Sequence, residues 1–138
     1  MKIALLDALT GRFEGGEQVT DVPEREQRMR SVLGNLRRLF NARQKGMAHV
    51  PEYGLPDLSD ISPTAHEKIE ALRGAIRDAV ERYEPRLRNV RVQRDSSEGD
   101  SAQLVFLLVA EMHEIGRVRF QTTIRSSEPV EIHTRGVA

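Results

Sequence analysis

The sequence predicts an α+β domain, with two main amphipathic helices packed on a small antiparallel sheet of three to four strands. Three observations carry that expectation. Apolar residues recur at helical spacing in two stretches of the first half. In the second half they alternate with polar residues, or run unbroken for about a strand's length. The helices come first and the strands follow, which is the α+β order rather than the alternating one. A chain of 138 residues suits one domain, expected here over residues 23–138 behind a flexible leader at 1–22.

The leader holds Ile3, Leu5, Leu6 and Leu9, and then the helix-breaking run Gly11 to Gly16. Such a segment can pack on its own domain or dock on a partner. Residues 24–44 predict the first helix, with Pro23 suited to its first turn and Asp21 and Glu24 at capping-box spacing. Its stripe is Met29, Val32, Leu33, Leu36, Leu39 and Phe40, and Gly46 is the expected stop. Two Pro and two Gly make residues 46–62 a long connection. Tyr53, Leu55 and Leu58 are apolar within it, and Tyr53 and Leu55 would pin that loop to the core, or serve a partner. The second helix is expected at 63–83, with Ser62 as cap and Pro63 first. Its stripe is Ile69, Leu72, Ile76, Ala79, Val80 and Tyr83, and Pro85 ends it.

Strands follow. Val90 and Val92 alternate with Arg91 and Gln93 in a short first strand. Residues 95–100 read as a solvated turn. Gln103–Met112 is apolar enough for a central strand, and His113–Gly116 is a hairpin connector. Val118, Phe120, Thr122 and Ile124 alternate with polar residues, so that strand has one wet face. Glu128-Pro129 turns into a last strand at Val130 and Ile132.

Composition excludes several functions. Lys and Arg total 21, and so do Asp and Glu, so the formal charge is zero and a strongly basic nucleic-acid binder is not the default. There is no Cys, which excludes disulfides, thiolate metal sites and Cys nucleophiles. No apolar run reaches the length of a membrane span. The N-terminal apolar run is too short for a secretory signal, so the expected place is the cytoplasm. His49, His66, His113 and His133 lack metal-ligand spacing, and no phosphate loop or nucleophile elbow is present. The carboxylate pairs Glu81/Glu84 and Glu111/Glu114 lack evident apolar surroundings to raise one pKa. No catalytic residue, metal, cofactor or small-molecule substrate is therefore expected.

Arginine is the informative residue. It supplies 18 of the 21 cations, an excess that fits interfaces and equally fits a biased genome. Arg86, Arg88, Arg91 and Arg94 fall in one stretch without an acid. Glu84-Pro85-Arg86 flanks the helix stop with opposite charges. Two readings stay open for that tripeptide: a local salt bridge stitching the helix to the sheet, or an ion-pair surface presented to a partner.

The run Met29-Arg30-Ser31-Val32-Leu33-Gly34-Asn35-Leu36-Arg37-Arg38-Leu39-Phe40-Asn41-Ala42-Arg43, then Tyr53-Gly54-Leu55-Pro56-Asp57-Leu58, then Glu84-Pro85-Arg86, resembles the TssE family. The opening Leu5-Leu6-Asp7-Ala8-Leu9 is similar too, with Ala8 where Arg is commoner. TssE proteins are baseplate wedge components of type VI secretion systems, related to the lysozyme-like wedge proteins of contractile phage tails. The resemblance implies an α+β fold and a structural, non-enzymatic role in the cytoplasm at the membrane-associated apparatus. It implies the baseplate proteins TssF, TssG and TssK and the contractile sheath as partners, with assembly contacts at Glu84, Pro85 and Arg86. The Asn-x-Arg end of the first helix maps onto Asn41 and Arg43. It also makes Arg88, Tyr53, Leu5 and Leu6 candidate contacts, and Arg86→Ala is then expected to keep the fold and abolish sheath assembly. The alternatives are a phage-type wedge protein, a regulatory binding module reusing the fold, and a true muramidase.

Overall fold

The computed structural model describes residues 24–46, 52–58, 64–95 and 103–137. The leader, with Leu5 and Leu6, lies outside them, as do Ser62 and Pro63.

Helix α1 spans Glu24–Asn41 and α2 spans His66–Tyr83. Strands β1 (Leu87–Arg94), β2 (Gln103–Met112), β3 (Gly116–Arg125) and β4 (Glu131–Val137) form one antiparallel meander in the order β1-β2-β3-β4. Both stripes face inward: Val32, Leu36, Leu39 and Phe40 from α1, and Ile69, Leu72, Ile76, Ala79 and Val80 from α2, are buried. They meet one face of the sheet, built from Leu104, Phe106, Leu108, Val118, Phe120, Ile124 and Ile132. Helix α2 lies mainly over β1, and α1 over β4. Burial of side chains this size contributes roughly 1.5–3 kcal/mol each, so this one layer of contacts carries most of the stability.

Three boundaries differ from expectation. Helix α1 ends at Asn41 rather than 44, because the next residues pair with the loop instead of continuing the helix. The Ala42 carbonyl accepts the Leu55 N–H at 3.0 Å, and the Gln44 N–H donates to the Leu55 carbonyl at 2.9 Å. Arg43 and Leu55 thereby form a parallel bridge. Lys45, not Gly46, takes the left-handed conformation, with φ 70°. Helix α2 starts at His66 rather than 63. Ala65 is non-helical and caps without a side-chain bond, and its carbonyl accepts the Ile69 N–H at 2.9 Å. Strand β1 is longer than the two valines suggest, since a bulge between Arg88 and Arg91 resets its pattern, with Asn89 at φ 53°.

The long connection is pinned to the core. Leu55 is fully buried and Leu58 nearly so, while Tyr53 stands edge-on to Tyr83 with ring centroids 5.0 Å apart. The β2–β3 turn is held by α1. Arg28 donates to the His113 carbonyl at 3.3 Å and pairs with Glu114 at 3.0 Å, and Arg25 donates to the Ile115 carbonyl at 3.3 Å.

Candidate functional site

The Glu84-Pro85-Arg86 junction is a densely hydrogen-bonded polar site. Helix α2 stops where Pro85 follows Glu84, whose N–H closes the last turn on the Val80 carbonyl at 2.8 Å. The turn brings Arg86 back over Glu84. Oε1 of Glu84 accepts the Arg86 Nε–H at 2.7 Å and the Arg86 backbone N–H at 3.1 Å. Oε2 accepts Arg86 Nη2 at 2.7 Å and Asn35 Nδ2 at 2.8 Å. The pair is bidentate, the strongest geometry for arginine and a carboxylate.

Helix α1 completes the network. Ser31 and Asn35 lie one turn apart and face the junction. The Ser31 Oγ accepts from Arg86 Nη1 at 2.8 Å, and Asn35 Nδ2 also donates to the Tyr83 carbonyl at 3.2 Å. The Glu84 side chain has no exposed area and that of Arg86 only 13%. A carboxylate this deep is tolerable only when its lone pairs are filled, and here two donors meet each oxygen. Sequence spacing gave Glu84 no apolar surroundings; the structure corrects that by burying it, with its charge met by Arg86. The ion pair is made within the chain. Pro85 and Arg88 are exposed, and a shallow depression there is lined by Pro85, Arg86, Arg88, Met112 and His113.

The other candidates sit at the far end of α1. The Asn41 side chain clamps the start of β4: Oδ1 accepts the Val130 N–H at 2.8 Å and Nδ2 donates to the Val130 carbonyl at 3.1 Å. Arg43 Nη1 donates to the carbonyls of Phe40 at 2.7 Å and Ala42 at 2.9 Å, satisfying the end of the helix. Burial pulls its guanidinium below the ordinary range, opposed by the charge of Asp57. Burial likewise raises the Tyr53 phenol, opposed by Arg38. Gly54, at φ 104°, passes so close to α1 that a Cβ there would stand 2.5 Å from the Ala42 carbonyl.

Asn35 and Tyr83 thus join Glu84, Arg86 and Tyr53 along one seam, with Asn41 and Arg43 at its end; Arg88 stands apart on β1. Sequence reasoning missed Ser31, Asn35 and Gly54. The polar pair at i and i+4 beside the apolar stripe was the available signal for the first two. No metal-ligating cluster occurs among the described residues, and no helix among them is long and apolar enough to cross a membrane.

A two-helix layer on an open four-stranded meander, latched by a buried ion pair, defines a small α+β domain. The family described as baseplate wedge protein gp25 matches residues 26–116, which include the latch. The chain belongs to that family. Among solved structures it is similar to a chain of the baseplate complex from the type VI secretion system, with TM-score 0.62 and 26% identity over 78% of this chain and 100% of that one. It also shares its fold with a Geobacter sulfurreducens protein described as a tail lysozyme, with TM-score 0.59 and 13% identity over 78% of this chain and 96% of that one. No curated protein sequence matches it.

Proposed function

We propose that this chain is a structural subunit of a type VI secretion baseplate. In this reading it joins the wedge proteins TssF and TssG and the adaptor TssK, and helps start polymerisation of the contractile sheath. It works by binding, without catalysis, in the cytoplasm beneath the membrane-anchored apparatus. The single observation that carries the reading is the likeness to a type VI baseplate chain over the whole of that chain's length. Membership of the wedge family agrees with it.

The latch supports a non-catalytic role for the motif. Both oxygens of Glu84 are occupied by donors from the same chain, which leaves no lone pair aimed at a substrate. Contact with partners at this end of the domain then falls to Pro85 and Arg88, which are exposed, with Glu84 and Arg86 setting their position. Asn41, Arg43 and Tyr53 would shape the neighbouring surface in the same indirect way.

Co-expression with TssF and TssG from the same genome, followed by size-exclusion chromatography, tests the reading. Co-elution is the expected result. A folded chain that elutes alone would overturn it and favour a regulatory module. Co-elution with phage-type tail proteins instead would favour the phage wedge.

A further inference from the structure

The outer face of the sheet, turned away from the helices, concentrates arginine that no acid among the described residues pairs. Antiparallel register places Arg91, Val109 and Arg119 in one row across β1, β2 and β3. A neighbouring row holds Gln93, Leu107, Gln121 and His133. On the other side Arg88, Glu111 and Arg117 align. Paired residues share a face, and none of these joins the core, which takes Leu108, Ala110, Val118 and Phe120 from the alternate positions.

Most of the other arginines are satisfied. Arg28, Arg73, Arg77, Arg82, Arg86 and Arg125 pair with acids. Among the described residues Arg88, Arg91, Arg117 and Arg119 make no ion pair, and the buried Nε of Arg119 has no hydrogen-bond acceptor. The acids of this face are few. Glu111 is bonded by Asn89 and Glu131 is paired with Arg125, while Asp95 stands at the rim. The face therefore has half-buried apolar residues at Leu107 and Val109, with Arg91 and Arg119 on either side of Val109 and Gln93 and Gln121 on either side of Leu107. Two shallow depressions adjoin it, one where Arg91 and Arg117 meet Glu111 and, from α2, Glu81, and one beside Arg119 and Arg135.

Resting on the baseplate reading above, we infer that this face docks an acidic protein surface: a baseplate partner segment carrying carboxylates on either side of an apolar side chain. Its carboxylates would meet Arg91, Arg117 and Arg119, and its apolar residue would cover Val109 and Leu107. Charge complementarity selects such a partner, because no acid among the described residues pairs with these cations. Nucleic acid fits less well. No aromatic among the described residues lies on this face to stack a base, since Phe106 and Phe120 are both in the core.

The test titrates the wild-type chain, Arg91→Glu/Arg117→Glu and Arg91→Gln/Arg117→Gln against an immobilised TssF–TssG complex, at low and raised salt. Both positions are exposed, so circular dichroism should be unchanged. The Glu variant should bind about tenfold or more weakly and the Gln variant should lose less, while salt weakens the wild type most. If the Glu variant fails to fold, the Gln variant decides. Wild-type binding that both folded variants retain would overturn the inference and leave the baseplate reading standing. No wild-type binding would overturn both. Wild-type self-association lost in the variants, or binding of a short DNA duplex lost in them, would assign the face to another occupant and overturn the inference.

Discussion

The carboxylate of Glu84 is wholly buried and grips Arg86 through two 2.7 Å hydrogen bonds. This relationship changes what the tripeptide's variants should do. Arg86→Ala leaves a buried charge without its partner, and breaking such a pair costs about 3–5 kcal/mol. The expected outcome is a lower midpoint of denaturant unfolding, not a fully stable fold with a missing contact. Glu84→Ala/Arg86→Ala removes both charges and should cost less than the sum of the single changes. A double-mutant cycle measures the difference. Additivity would show that the pair is not coupled in solution.

Gly54 is fixed by its neighbour rather than by its own loop. Its φ of 104° and the Ala42 carbonyl at 2.5 Å from a built Cβ leave no room for a side chain. Gly54→Ala should destabilise by about 2 kcal/mol or more. The effect should appear as increased amide exchange at Leu55 and Gln44, whose N–H groups close the bridge to α1. Unchanged protection there would show that the loop detaches without cost.

Asn41 replaces a strand partner for Val130, donating to its carbonyl and accepting its N–H. Asn41→Ala should cost about 1–3 kcal/mol, the penalty of leaving such groups unmet. Asn41→Asp keeps the acceptor but turns an oxygen toward the Val130 carbonyl, and should be no better than Ala. Amide exchange of Val130, read by NMR, separates loss of this clamp from global destabilisation.

Much of the fold was legible because it rests on periodicity. The stripes from Val32 to Phe40 and from Ile69 to Val80 repeat at helical spacing, and β3 alternates from Val118 to Thr122 before Thr123 is buried as well. The boundaries were less legible, since long-range pairing sets them: Leu55, not Gly46, ends α1 by bonding the Ala42 carbonyl and the Gln44 N–H just beyond it. The motif at Glu84 to Arg86 was visible as a charged junction, but its burial was not. That depends on Ser31 and Asn35, about fifty residues earlier in the chain. The row of Arg91, Val109 and Arg119 is likewise invisible until strand register aligns it.

The central claim is that this chain is a structural part of a secretion baseplate. The most direct measurement removes the chain from its own cell and images sheath assembly, with the wild-type gene restored in parallel. The account predicts that sheaths fail to form without it and return with it. Sheaths that assemble normally in its absence would contradict the account.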